Sequence, residues 1–321
     1  MNPSRSPRRL RATVRDFYQK HQHELALQLV AGEAGLDRPI KEPTVNRPGL
    51  VLTGFTKYFA EHRLQVLGNA ETCYLKSLPP EVREQRYARL LEFRVPCLVF
   101  CRGYKPEAAL LRQAEAAEIP VFRSSQVTMR FINQATLLLD LLCAPRATEM
   151  GSMVDILGIG VIVRGTPGIG KSECVLGLIE RGYSLVADDV TEIQLNGGHA
   201  VIGTAPERIR DYMEVRGIGL INVASMFGIK SIRTNKRVDL VVTLRRWDEV
   251  PDVERVGLEQ ETVKLLGIDV PHVTIPVAPG RDLARLVEVA AFLAKLRLAG
   301  HNPAKDFEER LLRDIAAARE G

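Results

Sequence analysis

Gly165-Thr166-Pro167-Gly168-Ile169-Gly170-Lys171-Ser172 has the G-x-x-x-x-G-K-[ST] spacing of a phosphate-binding loop. In such a loop the glycines let backbone N–H groups turn inward on phosphate oxygens. Lys171 supplies a point charge for the β and γ phosphates, and the Ser172 hydroxyl is placed to ligate Mg²⁺. The flanks agree: the apolar run Val161 to Val163 precedes the loop, and Lys171 to Arg181 carries apolar positions at helical spacing and stops at Gly182. The chemistry these residues support is nucleoside triphosphate binding. Pro167 has no N–H, so the cradle has one donor fewer, while Lys171 and Ser172 remain.

Asp188 and Asp189 are the second chemical feature. Adjacent carboxylates are commonly a solvated turn, but Ser184 to Val186 reads as a strand that delivers this pair to its carboxyl end. In α/β folds phosphates and metal gather at that edge. One carboxylate there can face a metal shell while its neighbour points toward an incoming hydroxyl. A kinase needs that base, whereas a simple ATPase needs only a positioned water.

The elements that must position these residues predict an α/β chain in two domains. Arg15 to Gly32 reads as a helix, Gly49 to Leu52 and Arg63 to Gly68 as short strands, and Glu81 to Leu91 as a helix. Val95 to Arg102, Pro106 to Glu118 and Pro120 to Arg123 give strand, helix, strand, followed by an apolar helix over Gln134 to Leu142. Residues 13–142 form a small α/β domain on this reading, 143–152 a linker, and 153–321 the phosphate-binding domain, with a basic flexible tail over 1–12. In the second half, Met153 to Ile156 and Val161 to Val163 read as a hairpin feeding the loop, and Asn196-Gly197-Gly198 turns a second hairpin. Glu207 to Val215 reads as helical, Val238 to Leu244 and Val273 to Val277 as strands, and Arg281 to Ala299 and Ala304 to Arg319 as helices.

Composition excludes several classes. With 321 residues, 45% hydrophobic and 26% charged, the chain is an ordinary globular one, large enough for two cores. No stretch approaches the roughly 18 uninterrupted apolar residues of a spanning helix. Arg8-Arg9 has no apolar segment behind it, so an export signal is rejected and the expected compartment is the cytoplasm. The net charge of +5 is modest and partly carried by Arg5, Arg8, Arg9 and Arg11, which gives no reason to expect a nucleic-acid partner. Five cysteines form an odd set, which argues against a disulfide framework. The Cys97 to Cys101 spacing is that of a buried strand at least as well as that of a metal site.

Order and identity of the motifs resemble the HPr kinase/phosphorylase family. Gly165 to Glu173 is followed by Leu185-Val186-Ala187-Asp188-Asp189, by Ala205-Pro206, and by Glu214-Val215-Arg216-Gly217-Ile218-Gly219-Leu220-Ile221-Asn222-Val223, with Phe227-Gly228 behind. Arg47-Pro48-Gly49-Leu50, Gly54-Phe55 and Gln65-Val66-Leu67-Gly68 extend the similarity through the first half. The resemblance implies a P-loop kinase domain with a core like that of phosphoenolpyruvate carboxykinase. It implies an ATP- and Mg²⁺-dependent enzyme that phosphorylates a serine of the phosphocarrier HPr, reverses this with inorganic phosphate to release pyrophosphate, and regulates carbon metabolism. Asp189 would accept the proton in one direction and return it in the other, Lys171 would hold the phosphates, Ser172 and Glu214 would bind Mg²⁺, and Arg255 would be the catalytic arginine. Arg281 falls in the segment associated with dephosphorylation. The family assembles as a homo-hexamer through its carboxyl-terminal domains.

Two departures stand out. Met150-Gly151 replaces the family's His-Gly, and a thioether neither exchanges protons nor donates hydrogen bonds. Thr166-Pro167 replaces the family's Asp-Ser. Two other classes stay open on sequence alone: a small-molecule P-loop kinase, and a nucleotide-dependent regulator whose catalysis is weakened or one-directional.

Overall fold

The computed structural model describes residues 12–250, 261–304, 306–310 and 313. The chain divides into two compact units between Ala144 and Pro145.

The amino-terminal unit opens on α1 (Val14–His21), started by a capping box in which the Thr13 hydroxyl accepts from Asp16 N–H and the Asp16 carboxylate accepts from Thr13 N–H. The helix expected over Arg15 to Gly32 ends early. The chain turns at Ala26, which has a φ of 48°, and Leu27–Ala31 becomes β1. Strand pairing with the sheet edge overrides the local helical pattern there. A parallel run follows: β2 (Val45–Asn46), β3 (Leu64–Leu67), β4 (Leu98–Phe100) and β5 (Val121–Ser124), with β1 antiparallel on β5 in the order β1-β5-β4-β3-β2. Gly49 to Leu52, expected as a strand, is the start of α2 (Gly49–Thr53), which buries Val51 and Leu52, exposes Leu50 and stops at Gly54. The sheet is flanked by α3 (Asn69–Ser77), missed from sequence, then α4 (Pro80–Glu92), α5 (Ala108–Ala116) and α6 (Thr128–Cys143). Cys97 and Cys101 flank β4 as buried free thiols, both pushed up by burial, Cys101 to about 12, so the strand reading of their spacing is the one observed.

The carboxyl-terminal unit begins with a strand. Arg146–Met150, expected as linker, is β6: its side chains alternate outward and inward, and it pairs with β10 so that Met150 faces Val190. A polar, alternating edge strand has the composition of a loop, which is why sequence alone misread it. Then come β7 (Ser152–Ile156), β8 (Ile159–Gly165), α7 (Lys171–Glu180), β9 (Ser184–Ala187), β10 (Val190–Asn196) and β11 (Ala200–Thr204). Glu207 to Val215, expected as helix, is one short 3₁₀ turn followed by β12 (Tyr212–Val215), with Asp211 at a φ of 68° breaking the run between them. β13 (Gly219–Asn222), α8 (Val223–Phe227), β14 (Asn235–Arg237), β15 (Leu240–Arg246), β16 (Thr262–Leu265), β17 (Ile268–Val277) and α9 (Leu283–Leu298) complete it. The helix expected over Ala304 to Arg319 lies mostly outside the described residues, as do residues 1–11 of the tail expected over 1–12, whose last residue, Ala12, is buried.

The central sheet has the order β16-β17-β15-β8-β7-β9. β15 is parallel to β8 and to β17, while β7 is antiparallel to both β8 and β9. β8, β9, β15 and β17 therefore all end at the same edge. Val161, Val163, Val242, Leu178 and Val287 pack the layer between the sheet and α7 with α9. Leu178 on α7 is fully buried in this layer. Leu178→Ala should lower the stability of this unit by about 2–5 kcal/mol in urea unfolding, because the cavity beneath the loop helix cannot fully collapse.

Candidate active site

Gly165 ends β8, and its lack of a side chain is required: a Cβ there would sit 2.6 Å from Ile169 Cγ2. The loop turns through an Ile169 N–H to Thr166 carbonyl bond of 3.2 Å, and Gly168 and Gly170 take φ values of 85° and 99°. α7 then starts at Lys171, with Cys174 N–H bonded to the Gly170 carbonyl. The first amides of the helix have no intrahelical partner, so they face the loop's concavity with the positive end of the helix dipole. Arg216, which follows β12, reaches the same loop: a Cβ at Gly168 would lie 3.3 Å from Arg216 Nη1.

Asp188 and Asp189 divide by burial. Asp188 is 6% exposed and fully occupied: Ser152 Oγ donates to its Oδ1 at 2.7 Å and Glu214 N–H to its Oδ2 at 3.2 Å. Its carboxyl is held above the usual carboxylate range, chiefly by burial and also by the charge of Asp189. Asp189 sits in the left-handed region at a φ of 55°, with its N–H donated to Ser152 Oγ at 3.1 Å and its carbonyl accepting from Gly151 N–H at 2.8 Å. That backbone conformation is disfavoured for a residue with a side chain and persists because the main chain is tied on both sides. The side chain, half exposed, forms an ion pair with Lys171 at the start of α7.

The structure therefore brings Lys171, Asp189 and the loop Gly165 to Ser172 together, and binds the main chain of Glu214 into the same network through Asp188. Ser172 occupies the second position of α7, and the Glu214 side chain is exposed on β12. Arg255 lies outside the described residues. Arg281 stands elsewhere on the strand edge: its Nη1 donates to the Pro276 carbonyl at 3.0 Å and its guanidinium lies over the Trp247 ring. Met150 is 71% exposed one residue before the Gly151 N–H that holds Asp189. Ser152 was missed from sequence, where a serine opening an apolar strand carries no signal until the strand end beside it is known. Among the described residues no group of three or more His, Cys, Asp or Glu side chains could hold a metal, and no helix is long and apolar enough to cross a membrane.

Fold and loop define a P-loop α/β protein. The chain belongs to the HPr kinase/phosphorylase family: residues 12–139 match the family model described as HPr Serine kinase N terminus, and residues 142–311 the one described as HPr Serine kinase C-terminal domain. The HPr kinase/phosphorylase of Exiguobacterium sp. is 43% identical over 289 residues, which covers 90% of this chain and 93% of that one. That of Leptospira biflexa is 40% identical over 301 residues, 93% of each chain. Among solved structures, an Hpr(Ser) kinase/phosphatase from Coxiella burnetii is 32% identical with a TM-score of 0.46, covering 50% of this chain and 98% of its own.

Because the folded Asp188 carboxyl binds its proton more tightly than the unfolded one, its contribution to stability is greatest at low pH and falls as pH rises from about 3.8 through its folded value. Asp188→Asn removes that term. The difference in urea midpoint between parent and variant should shift against the parent as pH rises across this range, and a difference independent of pH would contradict the assignment.

Proposed function

We propose that this protein transfers the γ-phosphoryl group of ATP to a serine hydroxyl of HPr, and that with inorganic phosphate it removes the group again and releases pyrophosphate. The observation that carries the reading is the Lys171 to Asp189 contact at the mouth of the loop, with Asp189 half exposed while Asp188 is buried and spent on structure. A carboxylate beside the phosphate-binding lysine, accessible from outside, is where an incoming hydroxyl needs a base. In the forward direction the serine O–H proton passes to the Asp189 carboxylate as the oxygen forms its bond to the γ phosphorus and ADP leaves. In the reverse direction a phosphate oxygen attacks the phosphoserine phosphorus, and the serine oxygen takes the proton back from Asp189.

Lys171 neutralises phosphate charge next to that base, and the free amides at the start of α7 orient the chain of phosphates. Arg216, beside Gly168, adds a guanidinium to the same face. The donor chemistry fits Mg²⁺: the Ser172 hydroxyl and the Glu214 carboxylate are hard oxygen ligands, and this ion needs only one or two protein oxygens beside phosphate and water. Ser172 and Glu214 would hold it, and it would supply positive charge to offset the charge that develops on the phosphate oxygens. Arg255 is assigned the catalytic arginine's role from its place in the sequence motif. Exposed Val289, Leu293 and Leu296 on α9 support packing between subunits, in keeping with a homo-hexamer. The reaction is placed in the cytoplasm, where ATP is available, with neither membrane nor nucleic acid as partner.

Transfer of labelled phosphate from ATP to purified HPr tests the reading. Asp189→Asn should lower transfer by at least about a hundredfold, the usual scale of a lost general base, with nucleotide still bound. Transfer by the variant at the parent rate would sink the assignment of Asp189.

A second reading, an enzyme biased toward one direction, is favoured by Met150. Its thioether projects at a position next to the main chain that holds Asp189, where no proton can be exchanged. Met150→His should raise the rate of the slower direction, measured separately with ATP on HPr and with phosphate on phospho-HPr. Unchanged rates in both assays would remove this position from the mechanism.

A further inference from the structure

Beside the phosphate loop the chain crosses twice between the two larger sheets of the carboxyl-terminal unit. At Gly151 it passes from β6 of the four-stranded sheet to β7 of the central one, and at Asp188 and Asp189 it passes back from β9 to β10. The two crossings are bonded to each other, since Gly151 N–H donates to the Asp189 carbonyl at 2.8 Å and Asp189 N–H donates to Ser152 Oγ at 3.1 Å. Whatever fixes Gly151 therefore fixes the main chain that aims the Asp189 carboxylate.

Two side chains hold Gly151. The fully buried Thr191 donates its hydroxyl to the Gly151 carbonyl at 2.8 Å. Arg164, which precedes Gly165 at the end of β8, lies against the same glycine: a Cβ on Gly151 would sit 3.3 Å from Arg164 Cγ. The Arg164 guanidinium then forms an ion pair with Glu149, an inward-facing residue of β6 two positions before Gly151. Both side chains are largely buried, at 22% and 17% exposure. A pair so shielded is little screened by salt, and removing one partner leaves the other charge unmet. Glu149 and Arg164 thus clamp the β6 to β7 crossing against the strand that carries the phosphate loop.

We infer that Arg164 is a positioning residue for phosphoryl transfer: through Glu149 and Gly151 it keeps Asp189 in place relative to the loop when phosphate competes for the Lys171 ammonium. The need follows from the chemistry. Lys171 cannot neutralise phosphate and hold Asp189 in its present ion pair with undiminished strength, and a base displaced by about 1 Å loses on the order of a hundredfold in rate. The main chain must then keep the base where it is, and the Glu149 to Arg164 pair is what ties that main chain to the loop. The inference rests on the reading of Asp189 as the base and adds what holds it during transfer.

Steady-state transfer of labelled phosphate from ATP to HPr by the full chain tests it. Arg164→Met keeps the stem and removes the charge, so kcat should fall by about tenfold to a hundredfold while the KM for ATP stays within about twofold, the pattern of an interaction that matters only during transfer. Arg164→Lys should recover most of the rate. Glu149→Gln, close in shape to the parent, should lower kcat in the same direction and serves if Arg164→Met does not fold. The double variant should be no slower than Arg164→Met, because both changes act through one contact. Hydrogen exchange gives a readout apart from activity: the Gly151 and Asp189 amides should lose protection in Arg164→Met. Unchanged kcat per folded molecule, a loss confined to KM, losses that multiply in the double variant, or unchanged protection of both amides would overturn the inference and leave Asp189 standing. Parent-rate transfer by Asp189→Asn, or none by the parent protein, overturns the inference together with the reading of the site on which it rests.

Discussion

Everything at the phosphoryl end of this protein depends on one buried carboxylate. Asp188 takes a hydroxyl from β7 and a main-chain N–H from β12, and the same hydroxyl accepts the N–H of Asp189. Two segments far apart in sequence, β7 and β12, are thereby locked to the carboxyl end of β9. A buried carboxylate with its oxygens unmet would be strongly destabilising, so the hydrogen bonds are obligatory and the geometry they impose is rigid. What the lock produces is a neighbour, Asp189, held in a left-handed backbone conformation with its side chain turned to Lys171. Two identical residues side by side thus do different work because one is dry and the other is half wet.

The sheet order gives the lock its place. Putting β7 antiparallel between β8 and β9 leaves β8, β9, β15 and β17 ending at one edge, so the loop after β8 has acidic chemistry on one side and an aromatic cleft on the other.

Much of this was legible in the residues. The strand, glycine loop and helix from Val161 to Gly182 follow from apolar spacing and from glycines at positions that need positive φ, and the turn at Asn196 to Gly198 follows from the same rule. Elements misread from sequence share one cause. Leu27–Ala31 and Arg146–Met150 are short strands whose partners lie elsewhere in the chain, and Tyr212–Val215 is a short strand that pairs with Gly219–Asn222 across the turn that follows it; the residues of such strands do not by themselves distinguish them from a helix end or a loop. Gly49–Thr53 failed the other way, since a single apolar turn of helix and a short buried strand look alike until burial shows which side chains face inward.

By itself the sequence determined the class of ligand and the family, because a phosphate cradle needs glycine, lysine and hydroxyl at fixed spacing along the chain, and that spacing is written locally. Read from the residues alone, Asp188 and Asp189 were an undivided pair, and only the family resemblance gave the proton role to Asp189. Only the tertiary structure decided that Asp188 is the buried lock and Asp189 the reachable group, that Ser152 and Arg216 belong to the same site, and that Trp247 stands across the loop from them. Burial and hydrogen bonding between distant segments set those roles, and both are properties of packing that no stretch of chain carries alone.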